Sequence, residues 1–437
     1  MSIPSRRVAG AGPRMTEGNE EPPAIRCFGR LTRPAANFTL PAMTKATPDS
    51  RKTMHSRTRL VHAGREPFEQ HGFINTPIWR GSTVLSPTME DLYARKAKYT
   101  YGTKGTPTTN ALETAWSEIA GAAGTVLVPS GLAAITIALL AAVKAGDHVL
   151  VTDSAYRPAR AFCDGVLKRM GVETTYYDPM IGGGVEQHFR PNTSVVLVEA
   201  PGSQSFEVQD IPAISAAAKK RGICVVMDNT WATPLFFPPH ERGVDMAIEA
   251  GTKYLSGHSD LLLGLVSATA EWFPRLRETF DAFAMCAGPE DVFLALRGLR
   301  TMELRLREAE RQGLDMARWL EARPEVARVL HPAFPSCPGH DIWKRDFLGS
   351  SGLFSVILKP VSRTGVAAML DGLELFGMGY SWGGYESLVI PFDCKTYRTA
   401  TDWNPGGPAL RFSIGLEHLD DLKADLAKGF ERMAAAG

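Results

Sequence analysis

Through the middle of the chain, short apolar runs alternate with segments of helical period. Residues 125–128 precede an Ala- and Leu-rich stretch at 132–144, 148–151 precede 159–169, 194–198 precede 211–220, and 223–227 follow. One helix between successive strands predicts parallel pairing through right-handed crossovers, hence an open α/β sheet. Such a sheet offers its ligand-binding groups at the carboxyl ends of its strands. Further on, residues 291–320 read as one extended helix or two in tandem, and 361–437 mix strands with a final amphipathic helix, so a domain change is expected near residue 300.

Residues 1–55 break this pattern. They carry a run of basic residues from Arg6 to Lys52 with few acids, many Pro, Ala, Thr and Ser, and no hydrophobic period. Such a segment cannot bury a core and is expected to be a disordered extension, with Met43 or Met54 as alternative starts. At 437 residues the chain exceeds a typical domain of roughly 150 residues and has room for two packed units. Its 48 Lys and Arg balance 47 Asp and Glu, which gives no electrostatic case for nucleic acid or an anionic membrane. No stretch reaches the roughly 18–20 apolar residues of a membrane span. The six cysteines are scattered without CxxC spacing, which argues against a zinc ribbon or a disulfide framework and for a reducing, cytoplasmic setting.

The candidate chemistry gathers at predicted strand ends. The run at 223–227 leads into Asp228-Asn229-Thr230, where a carboxylate faces a ligand unless it merely starts a turn. Lys253, within Gly251-Thr252-Lys253-Tyr254-Leu255-Ser256-Gly257-His258, stands among small and hydroxyl residues, whereas most lysines of the chain lie on charged helix faces. Desolvation there would lower the amine's pKa, as attack on an aldehyde requires; the alternative is a surface turn. A lysine and an upstream carboxylate together match what pyridoxal phosphate needs at its aldehyde carbon and pyridinium nitrogen. Pro129-Ser130-Gly131-Leu132 supplies a hydroxyl, a glycine and a helix start, which is either a phosphate cradle or an ordinary N-cap. Tyr156, just beyond the strand at 148–151, offers a ring for stacking on a pyridine. Ile181-Gly182-Gly183-Gly184 follows Asp178-Pro179 and opens no helix; it reads as a loop, so the dinucleotide fingerprint is absent. His258, His331 and His340 lack metal-ligand spacing.

Ala155-Tyr156-Arg157-Pro158, Asp228-Asn229-Thr230-Trp231, Thr252-Lys253-Tyr254-Leu255, Arg297-Gly298-Leu299-Arg300-Thr301, Trp343-Lys344-Arg345-Asp346-Phe347 and Tyr380-Ser381-Trp382-Gly383-Gly384-Tyr385-Glu386-Ser387 together resemble the Cys/Met-metabolism pyridoxal phosphate enzymes of fold type I, most closely their bacterial cystathionine β-lyases. The resemblance runs from Arg57 to Met433. It implies a large α/β cofactor domain with a mostly parallel sheet over 111–300, a smaller α/β C-terminal domain over 301–437, and an arm at 56–110 serving a neighbouring active site. It implies pyridoxal 5'-phosphate as cofactor and Lys253 as the Schiff-base lysine, with Tyr156 as a second catalytic residue that also stacks on the ring. Asp228 is then the pyridinium partner, with further cofactor contacts from Ser130, Gly131, Leu132, Thr252 and, across an interface, Tyr101. Arg411 falls where the family grips the substrate carboxylate, a task suited to a planar fork donor. Ser381, Trp382 and Tyr380 fall on the substrate side. The implied reaction is β-elimination of L-cystathionine to homocysteine, pyruvate and ammonia, in a homotetramer built from two dimers. Its alternatives are γ-elimination or γ-replacement, cysteine desulfhydration, racemisation, or a cofactor-binding protein without turnover. One departure stands out: the family arginine two residues after Tyr101 is here Thr103, with Lys104 next to it.

Overall fold

The apolar runs form a seven-stranded sheet comprising β1 Gly124–Val128, β2 His148–Thr152, β3 Glu173–Tyr177, β4 Thr193–Glu199, β5 Cys224–Asp228, β6 Met246–Ala250 and β7 Gly264–Ala268. The computed structural model describes Arg51 and residues 53–437, so nearly all of the extension expected at 1–55 lies outside the described residues. The described residues cluster as one unit.

The strand order is β1-β7-β6-β5-β4-β2-β3. Four neighbouring pairs are parallel, as the β/α alternation predicts. The expectation fails at β1, which pairs only with β7, and β7 is antiparallel to both β1 and β6. The reason is local: residues 251–263 join β6 to β7 without a helix, and a parallel return needs a crossover of about a dozen residues or more, usually helical. The chain therefore folds back, and this reversing loop contains Lys253.

Alternate strand residues feed two cores, one packing Val126, Val151, Leu197 and Val226 against the helix Gly131–Ala142, the other packing Leu127, Leu150, Val198 and Met227 beneath the helices Pro107–Ala120 and Pro289–Leu299. Such two-sided burial explains the nearly unbroken hydrophobicity of the strands. The helical stretch expected at 159–169 divides into Arg157–Phe162 and a π-helical turn, Cys163–Leu167. The glycine run read as a loop instead forms the start of a 3₁₀ segment, Gly182–His188. The long stretch at 291–320 resolves into two helices, Pro289–Leu299 and Met302–Glu321.

A second sheet, ordered β10-β11-β9-β8 and antiparallel throughout, comprises β8 Val326–Leu330, β9 Leu353–Leu358, β10 Leu388–Phe392 and β11 Ala409–Ser413. The helices Arg363–Asp371 and Leu419–Ala436 share a third core with it. The segment between β10 and β11 is fastened to the end of β2. There the fully buried Asp153 accepts hydrogen bonds from Thr399 N, Ala400 N and Thr401 N and pairs with Arg160 at 2.8 Å. Among the described residues, no helix is long and apolar enough to cross a membrane.

The loop that carries Lys253 is held from behind. Arg305 donates from Nη1 to Tyr254 O at 2.6 Å and from Nη2 to Leu255 O and Gly298 O at 3.1 and 2.8 Å. Gly298 lies against the same backbone, since a Cβ there would stand 2.3 Å from Leu255 O. Gly298→Ala sets a helix-propensity gain of up to about 1 kcal/mol against an overpacking cost of about 1–3 kcal/mol. The clash is expected to dominate and lower the Tm followed by circular dichroism. A raised Tm would show that the loop yields freely.

Candidate active site

Strand ends, the β6–β7 loop and the second sheet meet around a cavity of about 230 Å3. Ten of the residues singled out in the sequence line it: Ser130, Gly131, Leu132, Tyr156, Asp228, Thr252, Lys253, Tyr380, Trp382 and Arg411. Ser381 joins them through its hydroxyl, to which Lys253 Nζ donates at 2.9 Å. Tyr101 is not brought to this cavity. It rims a separate, more open hollow of about 640 Å3 with Trp79, Arg277 and Glu290. The larger hollow holds no lysine on its wall, whereas the smaller one gathers an amine, a guanidinium and two carboxylates, and the chemistry is assigned there.

The Lys253 side chain is largely buried and its Nζ lies 5.2 Å from the centre of the Trp382 ring. Burial, reinforced by the nearby Arg411 charge and opposed by Asp228, lowers its pKa to about 8. The loop is pinned by Thr252, whose Oγ1 accepts from Leu263 N at 3.1 Å. Gly383, at φ +80°, lets the segment carrying Ser381 and Trp382 pass close to the Lys253–Tyr254 backbone, where a Cβ would stand 3.2 Å from Tyr254 N.

Asp228 ends β5 with its carboxylate aimed into the cavity. Oδ1 accepts from Thr230 N at 3.0 Å and Thr230 Oγ1 at 2.6 Å, while among the described residues no donor reaches Oδ2. Burial raises this carboxyl above its ordinary pKa against the pull of the Thr230 bonds and Lys253. Register sets Glu199 of β4 beside it. Glu199 Oε2 accepts from Tyr156 N at 2.7 Å, and burial together with the Asp228 charge raises its pKa well above the usual carboxylate range. Two adjacent buried carboxyls, one with a free oxygen, call for a cationic N–H.

Arg411 on β11 supplies the opposite demand. It is buried, its Nη2 donates to Tyr380 O and Ser381 O at 3.0 and 3.3 Å, and no carboxylate of the described residues pairs with it. Burial lowers its pKa to about 10, opposed by the phenols of Tyr156, Tyr380 and Tyr397. Tyr156 itself is raised by burial and by Asp228 and Glu199, with Arg411 opposing.

One side of the cavity is formed by the N-terminus of the helix Gly131–Ala142. The Ser130 hydroxyl caps it by accepting from Ala133 N at 3.1 Å, and the Gly131 and Leu132 amides have no intrahelical acceptor at these positions. Gly131 is packed so closely that a Cβ would stand 2.7 Å from Ala250 Cβ. Free amides at one end, an open carboxylate oxygen at the other and a desolvated amine between them suit pyridoxal phosphate. Sequence reading missed Glu199, Thr230 and Arg305. Glu199 ends an apolar run just as Asp228 does and was open to the same reasoning. Arg305 lies on a charged helix face and carries no such mark.

The family model for the Cys/Met metabolism PLP-dependent enzymes matches residues 57–431. A Rhizobium johnstonii protein provisionally named a cystathionine beta-lyase is 55% identical over 382 residues, covering 86% of this chain and 96% of its own. The Salmonella typhimurium cystathionine beta-lyase is 43% identical over 390 residues, covering 86% of this chain and 98% of its own. The crystal structure of cystathionine gamma synthase from Xanthomonas oryzae, in complex with aminoacrylate and cysteine, superposes with a TM-score of 0.81 at 29% identity, over 88% of this chain and 99% of that one. With this match across the described fold and a cavity fitted to the cofactor, the chain belongs to the Cys/Met metabolism family of pyridoxal phosphate-dependent enzymes.

Proposed function

We propose that this enzyme cleaves the Cβ–S bond of L-cystathionine, consuming one water and giving homocysteine, pyruvate and ammonia. The observation that carries the reading is the grouping of Lys253, Asp228 and Arg411 around one cavity beside Ser381 and Trp382. Bound there, pyridoxal phosphate supplies an electron sink for the pair left on Cα when its proton is removed.

The protein's own groups do the rest. Arg411, a buried guanidinium without a carboxylate partner, takes the substrate α-carboxylate as a charge-assisted pair. Asp228 would hold the ring nitrogen of the cofactor and favour its cationic form. Lys253, with its pKa lowered to about 8, is suited to removing the α-proton, and its hydrogen bond to Ser381 orients the amine. Tyr156, close to Asp228, Glu199 and Arg411, would lie against the cofactor ring and is placed to take a proton from the incoming amine. Trp382 walls the Lys253 side of the cavity and excludes water. Gly131, Leu132, Ser130 and Thr252 hold the phosphate end, and Tyr380 closes the substrate mouth.

The assembly is a homotetramer of two dimers in a cytoplasmic setting, with the arm at 56–110 crossing to a neighbour. Supporting this reading, the arm exposes Phe73, Ile74, Leu85, Met89 and Tyr93, each more than 60% accessible, and Tyr101 faces away from its own chain's lysine. The division near residue 300 is supported by the two sheets, the first ending at Ala268 and the second beginning at Val326.

Incubating the cofactor-loaded protein with L-cystathionine is expected to yield pyruvate; 2-oxobutyrate would instead assign γ-elimination. Lys253→Ala is expected to abolish keto acid release. Arg411→Met is expected to raise KM about a hundredfold, in line with unpairing a buried charge contact. Amine attack requires the neutral form, so cofactor uptake by the apoprotein, followed by absorbance, should accelerate about tenfold per pH unit below the Lys253 pKa and level off above about 8. A pH-independent uptake rate would remove Lys253 from this role.

A further inference from the structure

Thr103 and Lys104 stand where the family pattern leads one to expect a guanidinium, and the structure shows how Lys104 is used. Gly102–Lys104 is a single 3₁₀ turn whose N-cap is Tyr101 in extended conformation. On one side the turn is stitched to the arm: Gly102 N donates to Ser82 O at 2.8 Å, Thr83 and Tyr101 form a bridge, and a Cβ on Gly102 would stand 2.2 Å from Gly81 O. On the other side it is fastened by charge. Lys104 Nζ lies 3.2 Å from Asp281 Oδ2. Arg277 Nη2 donates to the Lys104 carbonyl at 3.1 Å and pairs with Asp281 Oδ1 at 3.1 Å, and its Nη1 lies 3.8 Å from Glu113 Oε1. Asp281 and Arg277 belong to the helix Phe273–Phe283 and Glu113 to the helix Pro107–Ala120, so both helices grip the turn. The Tyr101 phenol, by contrast, meets no hydrogen-bond partner among the described residues and stands half exposed.

We propose that Lys104 is a positioning residue: through Asp281 and Arg277 it fixes the pose in which Tyr101 is presented to the neighbouring subunit's cofactor site, and its ammonium does not itself contact the phosphate. This rests on the reading above that Tyr101 acts across a subunit interface. In a 3₁₀ turn successive side chains diverge by about 120°. A Lys104 turned toward Asp281 therefore leaves the Thr103 hydroxyl pointing elsewhere, while Tyr101, extended ahead of the turn and half exposed, presents its phenol independently, so that the cross-subunit contact is made by hydroxyls rather than by a charge.

The two roles make opposite predictions for Asp281. A phosphate-binding ammonium is liberated by D281N, so cofactor affinity would hold or improve, whereas a positioning ammonium loses its anchor. Cofactor dissociation constants are to be measured by fluorescence titration of the assembled apoprotein for wild type, Y101F, K104M, D281N, K104M/D281N and K104R, with Tm recorded for each. Expected are K104M and D281N each weakening binding by roughly three- to tenfold, the double variant within twofold of either single, since the two act as one unit, and K104R close to wild type. Wild-type affinity in both K104M and D281N, or weakening in K104M alone, overturns the proposal. If either single variant fails to assemble, the K104R and double-variant affinities decide, a weakened K104R counting against positioning. Unchanged affinity in Y101F removes the cross-subunit reading and this inference with it; a weakened Y101F beside unaffected K104M and D281N overturns the inference alone.

Discussion

The site is organised around the cost of keeping an amine and a guanidinium out of water in the same small cavity. A buried cation without a partner is strongly unfavourable, and here Lys253 and Arg411 also repel one another. Burial and the Arg411 charge bring the lysine's pKa down to about 8, and Arg411 is left able to accept an anionic ligand. The carboxyls of Asp228 and Glu199 are subject to the mirror-image constraint on the opposite wall. Each charged group is thus unfinished in the way that a ligand with an anionic carboxylate, an anionic phosphate and a cationic ring nitrogen completes.

Such an arrangement survives only on a rigid support. The β6–β7 loop is caught between Arg305, which satisfies three backbone carbonyls, and the segment leading into β10, whose Ser381 reaches the lysine. Glycine at 298 and 383 allows these approaches, because any side chain there would push the loop into or away from the cavity. The anchoring of the β10–β11 segment on Asp153 ties the sheet that carries Arg411 to the sheet that carries Asp228. The distance between the two charged walls is thereby set by packing rather than by their own attraction.

Much of the architecture was legible because parallel strands buried on both faces must be written in apolar residues. The runs that end in Asp228 and Glu199 therefore mark their carboxylates plainly, and Lys253 stood apart from lysines on charged helix faces. The antiparallel insertion of β7 was not legible: it depends on a helix being absent between two strands, and a short loop of Gly, Ser and Leu carries no statement of direction. Arg305 escaped for a related reason, since its helix surface reads as solvated until the loop that covers it is known. The turn at 102–104 shows the same limit from the other side, with Lys104 looking like a substitute for a missing charge until Asp281 is found beside it.

By itself the sequence determined the fold class and the apolar runs whose ends carry Asp228 and Glu199, because periodicity is a local property; Lys253 and Asp228 stood out by their chemistry, and Arg411 and Ser381 only through the family resemblance. Only the tertiary structure decided which of those groups share a cavity, that Tyr101 stands outside it, and that a second buried carboxyl, Glu199, stands beside Asp228. These outcomes depend on strand register, on close glycine contacts and on burial, which arise from residues more than a hundred positions apart in the chain, as Lys253 and Ser381 are. Desolvation in particular, the force that tunes Lys253, exists only once the surrounding walls have closed.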